Sequence, residues 1–230
     1  MSAAGGPTLV DPGRIHIIGV AKSTIQRESH GNCNLSYSFQ VSADGYIEGP
    51  NGDLSWALVD EELHRHFNDQ EIATDTLLYG RRLYQLMAGY WPIADRNPDL
   101  PDYMREYAQI WKSKPKIVFS RTLDRVEWNS RLATATIGEE ITRLKEKTDA
   151  LFSIGGATLA GSVIRLGLVD EYWLYVNPVI LGAGKAMFPA SNDMIRLRPV
   201  ESRTFGSGVV LLRYSADHPA DGTTGPESTA

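Results

Sequence analysis

The sequence predicts an α/β fold: a mixed, mostly parallel central sheet with helices on both faces and a C-terminal antiparallel hairpin. Three observations predict it. Apolar runs of strand character alternate with helical stripes from Leu35 to Val176, the order that generates a parallel sheet with covering helices. Three of those runs end in glycine, or in serine and arginine, at Gly80, Ser120-Arg121 and Gly155-Gly156. The last two runs, Leu197 to Thr204 and Val209 to Tyr214, flank Gly206-Ser207-Gly208, a hairpin turn by composition.

Taken in order, Leu35 to Val41 alternates apolar and polar residues, the period of a strand. Asp60 to Asp69 carries Leu63 and Phe67 on one helical face, and Thr76 to Tyr79 is a buried strand ending at Gly80. Leu83, Leu86, Met87 and Tyr90 form a helical stripe, as do Met104, Tyr107, Ala108 and Trp111 within Asp102 to Trp111. Lys116 to Phe119 is a strand and Val126 to Trp128 a short one. Gly138 to Lys147 is helical through Ile141 and Leu144, and Ala150 to Ile154 is again a strand. Gly155-Gly156 opens a helix carrying Leu159, Val163 and Leu166, and Glu171 to Val176 is the next strand.

The ends differ from this pattern. Residues 1–33 and 216–230 mix small and polar residues with one apolar patch, Ile15 to Val20. Such segments bury too little apolar area to offset the entropy of ordering. The expectation is a disordered N-terminal extension, one domain over 34–215, and a disordered tail. Hydrophobic residues at 42% of the 230 suffice for a core. No apolar run approaches the roughly 18 residues of a membrane span, and a net charge of −5 opposes nucleic-acid binding through a basic face. A single cysteine, Cys33, excludes an intrachain disulfide and a multi-cysteine zinc site. No basic run followed by an apolar stretch opens the chain, so a cytoplasmic protein without a secretory signal is expected.

The chemistry lies where the strands end, since open α/β sheets bind ligands beyond their carboxyl ends. Gly155 and Gly156 open a helix whose first N–H groups could face an anion; a plain tight turn is the competing reading. Arg81 and Arg82 follow Gly80 at a helix N-terminus, where the dipole disfavours cations unless an anion sits there; a solvated pair is the alternative. Ser120, Arg121 and Thr122 follow an apolar strand and suit a phosphate monoester, or simply a strand-end turn. Three anion-friendly junctions on one sheet edge together point to a ligand with several phosphates, such as a dinucleotide.

Other motifs fail. No G-x-G-x-x-G follows the first strand and no G-x-S-x-G is present. Gly182-Ala183-Gly184-Lys185 lacks the first glycine and the Ser/Thr of a P-loop, with Val179 and Ala186 in their places. His64 and His66 are two apart, so they point to different helix faces and are expected to be exposed rather than to share a metal. No metal site is expected.

Together these junctions resemble the dihydrofolate reductase fold, most closely the reductase domain of the bifunctional riboflavin-biosynthesis deaminase–reductase. The resemblance runs from Leu35 to Ser215. It rests on Ser42-Ala43-Asp44-Gly45-Tyr46-Ile47, Gly80-Arg81-Arg82, Phe119-Ser120-Arg121-Thr122, Ile154-Gly155-Gly156-Ala157-Thr158-Leu159, Gly167-Leu168-Val169-Asp170-Glu171 and the block Asn177 to Gly184. It implies a dihydrofolate reductase-like three-layer fold and NADPH as cofactor. Gly155 and Gly156 match the glycine pair at the pyrophosphate, with Ala157, Thr158 and Leu159 starting the helix beneath it. Gly80, Arg81 and Arg82 match the basic turn near the adenosine phosphates. Ser120 and Arg121, with Thr122 beside them, match the grip on the ribose 2′-phosphate, and Ile47 the residue whose backbone meets the nicotinamide carboxamide.

Two departures qualify the likeness. Leu83 stands where many relatives have a threonine at the pyrophosphate, and the zinc-deaminase motifs are missing. For a catalytic carboxylate the resemblance offers Glu61, by its spacing from Trp56, and Asp44 in the first-strand turn. The dipole explains an acidic helix start equally well, and Gly45 a turn aspartate. The implied activity is reduction of 5-amino-6-(5-phosphoribosylamino)uracil by NADPH. Dihydrofolate reduction and a non-catalytic NADPH-binding module are the alternatives. The resemblance also implies a homodimer, with the apolar strand Val209 to Leu212 as an edge to be covered.

Overall fold

The computed structural model describes residues 33–146, 149–191 and 193–217. The readings made on 1–32 and 218–230, the apolar patch at Ile15 included, lie outside the described residues. The sheet has eight strands. In chain order its members and neighbours are β1 (Asn34–Ser42), the short β2 (Tyr46–Glu48), β3 (Thr76–Gly80), β4 (Lys116–Phe119), β5 (Ser130–Leu132), β6 (Leu151–Gly155), β7 (Glu171–Asn177), the two-residue β8 (Lys185–Ala186), β9 (Leu197–Thr204) and β10 (Val210–Ala216). The main sheet runs β5-β4-β3-β6-β1-β7-β10-β9, while β2 and β8 form a separate two-stranded ribbon. From β5 to β7 every pairing is parallel; β7, β10 and β9 are antiparallel.

The helices are α1 (Glu61–Ala73), α2 (Arg81–Ala94), α3 (Asp102–Ser113), α4 (Ile137–Lys145) and α5 (Ala157–Arg165). One face of the sheet packs its Tyr79, Val118, Tyr175 and Leu211 against α1, α2 and α3, including Phe67, Met87, Trp91 and Trp111. The other packs Tyr37, Phe39, Leu78 and Ile154 against α4 and α5 through Ile141, Leu144, Leu159 and Val163. Helices thus cover both faces, and the last two strands form the antiparallel hairpin turned at Gly206-Ser207-Gly208, closed by Phe205 N–H donating to Val209 O at 2.9 Å. Central β1 is buried on both faces, its polar side included: Ser36 Oγ donates to Phe152 O at 3.2 Å, and Gln40 Oε1 accepts from Asn177 Nδ2 at 3.3 Å. Hydrogen bonding lets those polar groups be buried.

Several expectations are corrected. The strand placed at Val126–Trp128 forms at Ser130–Leu132, because Trp128 and Asn129 have φ of 61° and 53°, a left-handed turn that delays the extended backbone. Leu166 caps α5 and is exposed, so that helical stripe ends at Val163. The strand beginning at Val210 is not an edge: it lies between β7 and β9, with Val209 and Leu211 fully buried. The edge on that side is β9, exposed along most of its length and guarded by Arg198, Glu201 and Arg203. Ala216 completes β10, and Asp217 pairs with Arg198 at 2.6 Å.

His64 and His66 are buried, not exposed, because α3 and the terminal hairpin close over α1. His64 Nδ1 is 3.1 Å from Asn68 Oδ1, and its ring packs on Tyr103 and Tyr107. His66 Nε2 is 3.1 Å from both Tyr175 OH and Gln70 Nε2. They do face different ways. Among the described residues no group of three or more His, Cys, Asp or Glu could hold a metal, and no helix is long and apolar enough to cross a membrane.

Candidate functional site

A cleft of about 1160 Å³ opens along the carboxyl ends of β4, β3, β6 and β1. That lies just above the about 300–1,000 Å³ typical of a pocket for one small ligand. At the β3–β4 end, Gly80 stops its strand and caps α2 with no side chain. In the middle, Gly156 does the same for α5, with φ at +99°. By contrast α1 is capped by Asp60 Oδ1, which accepts from Leu63 N at 2.8 Å, and α4 by a Thr136–Glu139 capping box. The two helices that start at this part of the cleft therefore keep first-turn N–H groups for a ligand.

The surroundings of those N–H groups are cationic. Arg81, Arg82 and Arg121 all line the cleft and are exposed to it. Arg81 Nη1 donates to Thr122 Oγ1 at 2.8 Å, tying the β3 and β4 junctions together. Ser120 Oγ accepts from Thr122 N and Leu123 N at 3.2 and 3.0 Å, which shapes the turn and leaves its hydroxyl proton for an anion. Gly155 is required by close approach: a Cβ there would overlap Leu83 Cδ2 and stand 2.8 Å from the Tyr79 ring. Leu83 thus occupies the space over Gly155. Ala157 and Leu159 are buried at the base of α5, and Thr158 is exposed in the cleft.

Uncapped helix N-termini, a glycine floor and three arginines lie along one cleft, where the chemistry suits anionic groups such as phosphates, and Gly80, Arg81, Arg82, Ser120, Arg121, Thr122, Gly156, Ala157, Thr158 and Leu159 are brought together along it. Gly155 forms the buried floor behind. Ile47, buried on β2, lines the further end.

The two carboxylates are not brought together with them. Glu61 lies outside the cleft lining, exposed and ion-paired with Arg65 at 2.8 Å. Asp44 also lies outside the lining. It accepts from Ser42 Oγ at 2.6 Å and from Leu181 N and Gly182 N at 3.1 and 2.7 Å, and those hydrogen bonds, Ser42's first, hold its pKa below the usual carboxylate value. Its place in the structure is to fasten residues 181–182 to the turn after β1.

The family model that matches is the RibD C-terminal domain, over residues 34–211. The chain belongs to this family. A further relative, the uncharacterized protein YyaP of Bacillus subtilis strain 168, is 39% identical over 175 residues, covering 76% of this chain and 90% of its own. Among solved structures, dihydrofolate reductase of Enterococcus faecalis complexed with NADP(H) superposes with a TM-score of 0.54 at 13% identity, over 80% of this chain and 97% of that one. The diaminohydroxyphosphoribosylaminopyrimidine deaminase/5-amino-6-(5-phosphoribosylamino)uracil reductase of Thermotoga maritima gives 0.53 at 14% identity, over 81% of this chain and 57% of that one. The family's fold is therefore that of dihydrofolate reductase-like proteins.

Sequence reasoning missed the far end of the family cleft in this chain. Gln40, Glu48, Trp56 and Lys185 line it. Trp56 served above only as a spacing mark, and Lys185 only as the end of a failed P-loop. The usable signal was Gly184 before a lysine: a Cβ there would meet the Glu48 carbonyl, as one at Gly155 would meet Leu83 and Tyr79, whereas Gly182 has open space.

Proposed function

We propose that this chain is an NADPH-dependent reductase of a small heterocyclic or ribosyl substrate, with 5-amino-6-(5-phosphoribosylamino)uracil the acceptor that its family implies. The observation that carries the reading is one cleft holding two uncapped helix N-termini under three arginines, with space left beyond them. The fold shared with a reductase complexed with NADP(H) and with a uracil reductase supports it. Gly156, Thr158 and the α5 N-terminus would hold the pyrophosphate, and Arg82, Ser120 and Arg121 the outer phosphate. When bound, NADPH supplies the reducing equivalent, and the protein supplies orientation and field.

The test is a fluorescence titration of the full chain with NADPH and with NADH, repeated on Arg121→Ala. A charge-assisted hydrogen bond contributes about 1.5–3 kcal/mol, so the variant should lose at least about tenfold in NADPH affinity and little for NADH. Failure of both nucleotides to bind would sink the reading. Binding of NADPH with no acceptor accelerating its oxidation would replace it with a non-catalytic binding module.

A further inference from the structure

At the end of the cleft away from the arginines, the β2–β8 ribbon sets Glu48 opposite Lys185. Among the described residues of the cleft lining, Glu48 is the one carboxylate and Lys185 the one ammonium. Their ion pair is open, with Nζ 3.5 Å from Oε1 and both side chains partly exposed. Two other lysine pairs of the molecule, Lys112–Asp95 and Lys145–Asp170, close to 2.6 Å. An ammonium has three donors and a carboxylate about four lone-pair sites, so an open pair keeps most of its hydrogen-bonding capacity for a ligand.

The pair is also held in place. Gly184 has φ at +147°, and a Cβ there would overlap the Glu48 carbonyl, so the two backbones meet where only glycine fits. Met187 N donates to Gly45 O and Tyr37 OH to Met187 O, each at 2.9 Å. Trp56 borders the same end, its Nε1 donating to Asp53 O at 3.0 Å. Asn177 Oδ1 accepts from Leu58 N at 2.8 Å, which anchors the segment carrying that ring.

The charges select a ligand class. Three strand spacings of about 4.8 Å separate β4, which leads to Arg121, from β1, and two separate β3, which leads to Arg81 and Arg82, so β6 lies between every arginine and this end. Glu48 would repel a phosphate and Lys185 an amine. A neutral amide edge, with N–H beside C=O, satisfies both at once: the carboxylate accepts from N–H and the ammonium donates to the carbonyl. We propose that Glu48 and Lys185 together read the amide edge of the acceptor, a flat lactam or ureide ring bordered by Trp56. The proposal rests on the reductase reading above.

The probes are 5,6-diaminouracil and its 1,3-dimethyl derivative, which lacks both ring N–H groups. Calorimetry on the full chain, with and without saturating NADP⁺, compares wild type with Glu48→Gln and Lys185→Met. Wild type should bind the parent ring at least about tenfold tighter than the dimethyl ring, one charge-assisted bond's worth. Each variant should lose about that factor for the parent while keeping wild-type NADPH affinity, which also shows that it folds. Equal affinity of wild type for the two rings, no binding of either, or variants that keep the preference would overturn the proposal. The wild-type ratio decides even where a variant fails to fold. Loss of NADPH binding by wild type would instead overturn the reductase reading, and the measurement without cofactor would still judge the ring proposal.

Discussion

At one end of the cleft, backbone N–H groups and arginines project from the ends of three strands, each a contiguous run of chain: Gly80 to Arg82 and Gly155 to Leu159 where helices begin, and Ser120 to Thr122 in a turn. At the other, two side chains 137 positions apart are brought together by a ribbon only two pairs long. The first end is specified by backbone geometry and tolerates little change at Gly155, where a Cβ would collide, or at Gly156, whose φ is +99°. The second is specified by side chains and by tethers behind them, such as Asp44 on Leu181 and Gly182. Under the proposed function, the end meant for phosphates, the same in every dinucleotide, is built into the fold, and the end meant for the acceptor is left to replaceable side chains.

The largest test of that contrast is Gly155→Val. Its side chain would collide with Leu83 and Tyr79 in the buried floor, and overpacking of this kind costs about 1–3 kcal/mol. Denaturant unfolding should show that loss, and NADPH affinity should fall by more than tenfold, on the order of one lost charge-assisted bond. Wild-type NADPH binding by this variant would show that the phosphate end does not depend on its backbone.

The same contrast explains what was legible in the sequence. Strands β1, β3, β4, β6 and β7 and all five helices announce themselves through local period, and the phosphate junctions through local composition. Ser120 and Arg121 sit two strands away from Gly155, yet each run could be recognised alone. Glu48 and Lys185 could not, because neither has a local signature and only the tertiary ribbon joins them. Glu61 is the converse case: it lies outside the cleft lining, and its acidic helix start has a local cause, Asp60 capping α1 and Glu61 pairing with Arg65. The buried histidines were misplaced because polar residues on α1 are covered by α3 and the hairpin, elements distant in sequence.

Those histidines give the second test. Burial holds the pKa of His64 at about 4 and of His66 at about 3, against 6.5 unperturbed. Both folded values are depressed, so their contribution to stability is complete above pH 6.5 and is lost as pH falls toward the folded values. Each contributes a slope of at most about 1.4 kcal/mol per pH unit. Glu71, on the same helix, is pushed up to about 7, mainly by burial. Its contribution has the opposite sign, complete below about 4.5 and lost as pH rises through 7, so between pH 4.5 and 6.5 it offsets one histidine. Unfolding free energy should therefore fall by about 1.4 kcal/mol per unit on acidification across this window. His66→Gln should flatten that slope and Glu71→Gln should double it. The histidines and Glu71 lie outside the cleft lining, so His66→Gln and Glu71→Gln should change stability while matching wild-type NADPH affinity at each pH where the chain is folded. A variant that changed that affinity while folded would couple the α1 core to the cleft.

The smallest effects separate the two carboxylates that the resemblance singled out. Asp44→Asn keeps one acceptor but removes the charge that gathers Leu181 N and Gly182 N. Residues 181–182 lie just before Lys185, so the loop should loosen where it positions the ammonium. Affinity for 5,6-diaminouracil should drop by about threefold, since a neutral acceptor retains about half the strength of a charged one, and NADPH affinity should not change. Glu61→Gln removes only an exposed pair with Arg65 within one helix, an interaction that contributes little. Both affinities, and turnover where an acceptor is found, should stay within about twofold of wild type. The order Lys185→Met, Asp44→Asn, Glu61→Gln in ring affinity follows distance from the cleft: in it, tethered behind it, and outside it. A Glu61→Gln variant that lost turnover with both affinities intact would place that carboxylate at the reacting atoms, and Glu48 would then be a binding group with no share in the chemistry.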